Sequence, residues 1–332
     1  MKAYTCRQYG GPETLTLVDI PKPEPNENEI LVKIHATSVT SGDCRVRSLE
    51  VPAGLGLIAR LAIGFRGPRK AVLGTEMAGV VEAVGCNVMH FDVGDAVFAF
   101  PGGQMGCYAE YRCIAENGPV VLKPETLSFA EAASLSFGGS TALDFLRKAK
   151  VKAGEKILIV GASGGVGTAL VQLARHIGAT VTGVTSSRNV DLVRSLGAKI
   201  VIDYTAETFA ERNEQYDVIM DVVSATSFSA CKHLLVKKGR YVALAGGLTE
   251  MLAMLWAPLL TGKKVIAGPA EERVDDIIHI AHLVAKGVLK PTVDRIYAFD
   301  DMVAAHSYVD TGRKRGSVVI TLKKSLIWAS PK

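Results

Sequence analysis

The chain has 332 residues, 48% of them hydrophobic and 21% charged, a globular balance that excludes wholesale disorder and suggests about two domains. A net charge of +5, with only Arg313-Lys314-Arg315 clustered, argues against nucleic acid as a partner. The longest apolar stretch, Met251–Leu260, is far short of the roughly 20 residues that span a bilayer, and Met1–Thr14 lacks the apolar core of an export signal, so a cytoplasmic location is expected.

Lys2–Cys6 and Leu15–Val18 read as strands around the Gly10-Gly11-Pro12 turn. Pro21, Pro23 and Pro25 end the second, because proline donates nothing to a ladder. Glu29–Ala36 alternates as a strand and leads into a polar loop, Thr37–Arg47. Leu55–Phe65 is an apolar insertion, read either as a lid over an apolar substrate or as a helix packed on the core. Gly74–Gly85, Phe91–Phe98, Cys107–Cys113 and Val120–Lys123 continue as short strands between glycine, proline and aspartate turns, predicting a mostly β unit of roughly 125 residues. The six cysteines are widely spaced with no C-x-x-C, which favours reduced thiols.

From Ser128 the period changes. Ser128 with Glu131 forms a capping box into a helix, Gly138-Gly139-Ser140-Thr141 interrupts it, and Ala142–Ala149 resumes. Then comes Lys156–Thr168, KILIVGASGGVGT: a β-branched apolar run, a glycine-rich turn, and at once an apolar helix to Gly178. Glycines let the backbone approach another molecule, and a helix start presents free N–H groups with partial positive charge, the setting for a pyrophosphate. Gly161, Ser163, Gly164, Gly165, Val166 and Gly167 are the candidate cofactor residues here. Thr180–Val184 completes the βαβ unit and leads to Ser186, Ser187 and Arg188. An NAD site would place a carboxylate there; hydroxyls and an arginine suit a 2′-phosphate, so the cofactor expected is NADPH. Strands at Ile200–Ile202, Val218–Met220, Arg240–Leu244 and Lys264–Ala267 alternate with helices, as in a doubly wound parallel sheet. Gly246, just past Arg240–Leu244, completes the cofactor set. A helix at Val274–Lys286 precedes a β tail (Arg295–Ala298, Ser317–Thr321) without further alternation. The tail is assigned to the first domain, giving 1–126 plus 272–332 around a nucleotide domain at 127–271.

With the glycine turn, the segments LGTEMAGVVEAVG (Leu73–Gly85), VGDAVF (Val93–Phe98), YAEY (Tyr108–Tyr111), STAL (Ser140–Leu143) and LGAKIVIDY (Leu196–Tyr204) carry a resemblance. The chain resembles the medium-chain dehydrogenase/reductase superfamily, in its zinc-free quinone oxidoreductase (zeta-crystallin-like) branch. The resemblance implies an α/β fold: a GroES-like, mostly β domain built from both chain ends, an inserted Rossmann domain, an active cleft between them, and a homodimer through the nucleotide sheet edge. Zinc-dependent relatives place a cysteine where Thr40 stands and a histidine where Thr75 stands, and threonine is a poor zinc ligand. His279 and His282, near Asp275 and Asp276, lack a third ligand, so no metal is expected. The family's cleft motif falls on Thr40–Arg47, which implies catalytic roles for Thr40, Asp43 and Arg47, with Thr40 replacing an asparagine near the nicotinamide. Asp43 and Arg47 read equally as an ion pair holding the loop. Thr141 is similar to a nicotinamide-contacting threonine, and Tyr204 to a residue of the 2′-phosphate pocket. The implied activity is zinc-independent hydride transfer from NADPH to a small quinone or α,β-unsaturated carbonyl, acceptors that need no Lewis acid. The alternative is an NADPH-binding sensor or partner-binding protein with incidental turnover.

Overall fold

The structure is a computed structural model that describes residues 1–51 and 54–322. Strands β1 (Lys2–Cys6) and β2 (Leu15–Asp19) pair antiparallel in a small sheet. The long strand β3 (Glu29–Val39) follows, then helices α1 (Ser41–Ser48) and α2 (Gly56–Ile63), and strands β4 (Met77–Val84), β5 (Ala96–Ala99), β6 (Tyr111–Ala115) and β7 (Val120–Leu122). The segment Thr37–Arg47 is therefore not a loop: its first residues extend β3 and the rest form α1. The cause is a second capping box, Thr40 with Asp43, the device recognised in the sequence only at Ser128.

Next come α3 (Phe129–Ala132), α4 (Ser136–Lys148), β8 (Lys156–Val160), α5 (Gly165–Ile177), β9 (Thr180–Thr185), α6 (Val190–Ser195), β10 (Ile200–Asp203), β11 (Tyr216–Asp221), α7 (Phe228–Cys231), β12 (Leu235–Ala243), α8 (Leu248–Thr261) and β13 (Lys264–Ala267). Their six strands form one parallel sheet in the order β10-β9-β8-β11-β12-β13. Reversal of strand order beside β8 marks the switch point where α/β sheets bind ligands. β8 and α5 are the centre of the core: Ile157, Leu158, Ile159 and Leu170 have no exposed surface. α4 runs unbroken through Gly138 and Gly139, correcting the expected interruption. A Cβ on Gly138 would lie 2.5 Å from the Gly165 carbonyl oxygen, and one on Gly139 2.7 Å from Ile280 Cδ1. These glycines serve close packing, and burial outweighs the roughly 1 kcal/mol each costs in a helix.

The chain ends with α9 (Val274–Ala285), β14 (Val293–Ala298), α10 (Met302–Asp310) and β15 (Ser317–Thr321). β15 pairs antiparallel with β3, which brings the tail back to the N-terminal strands in a seven-stranded sheet. The tail does contain one more strand–helix–strand unit, because β14 pairs parallel with β15 and α10 makes the crossover. α10 was hidden by its short, mixed sequence. α9 lies against α4, tied by Arg147 to Asp276 at 2.8 Å.

Candidate active cleft

The turn after β8 has the backbone its glycines permit. Gly161 has φ +85°, and a Cβ on Gly167 would sit 2.2 Å from the Gly161 carbonyl oxygen, so both positions need glycine. Gly164 is the N-cap of α5, with φ −78°, ψ 175° and no side-chain cap. The leading N–H groups of α5 thus have no side-chain acceptor. A Cβ on Gly164 would meet nothing closer than the Gly161 oxygen at 3.7 Å, so the position itself is unobstructed. Ser163 steadies the turn: its Oγ accepts from Thr185 Oγ1 at 2.8 Å and Asn189 Nδ2 at 3.1 Å.

Lys314, a member of the basic cluster 313–315, lies at this helix start. Gly316 N–H donates to the Ser163 carbonyl at 2.7 Å, docking the tail on the turn. That contact brings Lys314 Nζ to 3.2 Å from the Cβ position of Gly165, where it donates to the Gly316 carbonyl at 3.1 Å. Burial holds the Lys314 amine below its usual pKa, opposed by carboxylates that include Glu76. An ammonium beside the positive end of a helix is unfavourable unless an anion lies between them. Only a contact across the fold, not a motif, identifies Lys314.

At the ends of β9 and β10 the structure gathers the other predicted residues. Ser186 Oγ accepts from Asn189 Nδ2 at 3.3 Å, and Ser187 Oγ lies 2.8 Å from Thr205 Oγ1. Arg188 is exposed and donates to the Arg313 carbonyl at 2.7 Å, and Tyr204 is 60% exposed beside them. Asp203, also here, is held below the usual carboxylate range because Thr205 donates to it. Its charge works against a 2′-phosphate, and its acceptor oxygens orient the hydroxyls.

A cleft of about 540 Å³ is lined by Ser41, Cys44, Arg45, Tyr241 and Gly246, among others. Gly246 is close-packed, since a Cβ there would lie 2.8 Å from Ala243 Cβ. Thr141 is half-buried on α4 and does not line this cleft. Thr40 is buried at the head of α1, and its hydroxyl is occupied: Oγ1 donates to Asp43 Oδ2 at 2.6 Å and accepts from Asp43 N at 3.0 Å. Asp43 is fully enclosed, and burial raises its carboxyl to about 6, with the Thr40 hydrogen bonds opposing. Arg47 is 2% exposed and pairs with Asp310 at 2.7 Å, not with Asp43. Its Nη1 donates to His306 Nδ1 at 3.1 Å, and His306 Nε2 donates to the Tyr108 hydroxyl at 3.1 Å. Burial, then the Arg47 charge, hold His306 neutral, with its pKa pushed down to about 3. The expected pair between Asp43 and Arg47 is replaced by partners from the tail and the N-cap.

Glu76 is buried, accepts from Ser38 Oγ and from Phe137 N at 2.8 Å, and is raised by burial to about 7. Beside it, Thr75 Oγ1 is buried with no hydrogen-bond partner among the described residues. Thr40 and Thr75 are the residues that the resemblance sets at the zinc-ligand positions, and threonine is a poor donor for zinc. Among the described residues no group of three or more His, Cys, Asp or Glu is placed to hold a metal.

Two family models match. The alcohol dehydrogenase GroES-like domain covers residues 26–125, and the zinc-binding dehydrogenase domain covers residues 196–320. A 2-methylene-furan-3-one reductase of Solanum lycopersicum is 34% identical, with 96% of this chain and 79% of the relative covered. The chain belongs to the medium-chain dehydrogenase/reductase superfamily, in its quinone oxidoreductase-like branch. An NADPH-dependent alkenal/one oxidoreductase of Arabidopsis thaliana, chloroplastic, is 31% identical over 96% of this chain and 79% of its own. The quinone oxidoreductase of Coxiella burnetii superposes with a TM-score of 0.84 at 30% identity, covering 97% of this chain and 99% of that one. The arrangement, a GroES-like unit with a parallel Rossmann sheet, is the family's fold. No helix among the described residues is long and apolar enough to cross a membrane.

Proposed function

We propose that this chain is a zinc-independent, NADPH-dependent reductase of quinones or α,β-unsaturated carbonyls, working in the cleft between a nucleotide unit at 127–271 and a unit formed by 1–126 and 272–332. One observation supports the reading most: the start of α5 has no side-chain cap, is unobstructed at the Gly164 Cβ position and has the Lys314 amine beside it at Gly165, groups suited to a dinucleotide pyrophosphate. Gly161, Ser163, Gly164, Gly165, Val166, Gly167 and Lys314 hold that group; Ser186, Ser187, Arg188 and Tyr204 hold the 2′-phosphate. Thr141 and Gly246 complete the cofactor-binding set, Thr141 by its resemblance to a nicotinamide-contacting threonine.

Bound NADPH supplies a hydride, and a quinone or enone acceptor spreads the resulting charge onto its own oxygen. The protein then has three tasks: to orient the acceptor, to exclude water, and to place donors near the developing oxyanion. Ser41 and Arg45, which line the cleft, are the donors within reach. Thr40 sets the start of α1, and with Asp43, Arg47 and His306 fixes that wall.

Two further readings belong to the proposal. All six cysteines are free thiols, which supports a reducing compartment, the cytoplasm. Strand β13 ends the six-stranded sheet beside α8, whose Leu255, Leu259 and Leu260 are 72%, 85% and 78% exposed, which supports a homodimer across that edge. NADPH oxidation measured with 1,2- and 1,4-quinones and small enones tests the activity. Tight NADPH binding without turnover on any acceptor would instead favour a sensor.

A further inference from the structure

The insertion predicted as a lid or a core helix has an unexpected surface. No residue of α2 is buried, so it is not a core helix. Leu57, Ile58 and Leu61 share one helical face, and with Phe65 they are 67%, 63%, 61% and 68% exposed. Such exposure contributes nothing to folding. Hydrogen bonds tie the helix to the turn that follows it. Tyr9 OH donates to the Gly64 carbonyl at 2.6 Å, Arg60 Nη1 to the Phe65 carbonyl at 2.6 Å, and Arg69 Nη2 to the Leu61 carbonyl at 2.6 Å. The turn at Gly64 and Gly67 admits no side chain: a Cβ on Gly64 would lie 2.0 Å from the Gly67 carbonyl oxygen, and one on Gly67 2.2 Å from that of Arg7.

The charges around this face are of one sign. Arg60, Arg66, Arg69 and Lys70 are all exposed, and no acidic residue occurs between Glu50 and Glu76. The other exposed apolar helix, α8, differs: its only charged residue is Glu250. Apolar side chains set among arginine and lysine match a layer with anionic headgroups over hydrocarbon. A cavity of about 400 Å³, lined in part by Val46, Ala62, Ile63 and Met105, lies against the inner side of the same helix.

We propose that α2 and the following turn dock this protein on anionic phospholipid bilayers, Leu57, Ile58, Leu61 and Phe65 entering the interface while Arg66, Arg69 and Lys70 meet the headgroups. The inference does not depend on the reaction proposed above. The test is co-sedimentation of the full chain with vesicles of phosphatidylcholine alone and of phosphatidylcholine mixed with phosphatidylglycerol. The wild type is expected to sediment with the anionic vesicles and to be released by salt. Arg66→Gln with Lys70→Gln should lower the partition coefficient roughly thirtyfold, and Leu57→Gln with Leu61→Gln at least tenfold. Thermal midpoint and NADPH affinity should stay unchanged in both pairs, since all four side chains are exposed. Absence of sedimentation with anionic vesicles would overturn the proposal, as would binding that ignores both pairs. Conversion of a wild-type dimer to a monomer by Leu57→Gln with Leu61→Gln would also overturn it, because a second copy would then cover the face.

Discussion

Gly164→Ala separates cofactor binding from folding more cleanly than other changes in the glycine turn. Its backbone, φ −78° and ψ 175°, is open to any residue. The new methyl would have only the Gly161 oxygen near it, at 3.7 Å. Alanine lowers the entropy of the unfolded chain, which stabilises by about 0.4–1 kcal/mol. It is a poorer N-cap than glycine by a similar amount. The two effects oppose, so the unfolding free energy should change by less than about 0.5 kcal/mol. The methyl, however, occupies the space a pyrophosphate must enter. Loss of one charge-assisted N–H hydrogen bond, about 1.5–3 kcal/mol, weakens NADPH roughly 10- to 150-fold. Gly167→Ala is the contrast: its Cβ would be 2.2 Å from the Gly161 oxygen, so it should cost about 1–3 kcal/mol of stability before any cofactor is added. Urea unfolding of the free protein and fluorescence titration with NADPH measure the two quantities. Wild-type NADPH affinity in Gly164→Ala would refute the reasoning, as would a large loss of its stability.

Arg188→Ala should raise the Michaelis constant for NADPH roughly tenfold and leave that for NADH unchanged, since only NADPH has the 2′-phosphate. Lys314→Met should weaken NADPH and NADH alike, by roughly tenfold in equilibrium titrations, because the pyrophosphate is common to both. Glu76, raised by burial to about 7, contributes stability that is complete below the unfolded pKa of about 4.3 and is lost as pH rises through its folded value. The stability of Glu76→Gln relative to the wild type should therefore climb by up to about 3 kcal/mol between about pH 4 and about pH 8. Parallel stability–pH curves in urea would contradict that ionisation.

The elements that position the cofactor were legible because local chemistry fixes them. A β-branched run, a glycine turn and an apolar helix leave few alternatives for Lys156–Ile177, and Ser128 with Glu131 announced α3. The same capping logic was present at Thr40 and Asp43 but was read as a loop, since α1 carries charged side chains on a mean polar helix and shows no apolar stripe. Gly138 and Gly139 misled in the opposite sense: a glycine pair looks like a break until the helix packed against it is known. The buried chain from Arg47 through His306 to Tyr108 joins three distant parts of the sequence, so no spacing encodes it. Lys314 stands in the one basic cluster of the sequence, to which no role was given, and only the pairing of the tail with the turn gives it a place.

The central claim is that NADPH delivers hydride directly to an activated acceptor without a metal. The most direct measurement uses NADPH deuterated at the transferred position of nicotinamide C4, a small enone, and enzyme treated exhaustively with chelator. The account predicts undiminished turnover, with deuterium at the β-carbon of the saturated product. Turnover lost on chelation and restored by zinc would contradict it, as would a β-carbon hydrogen derived from water.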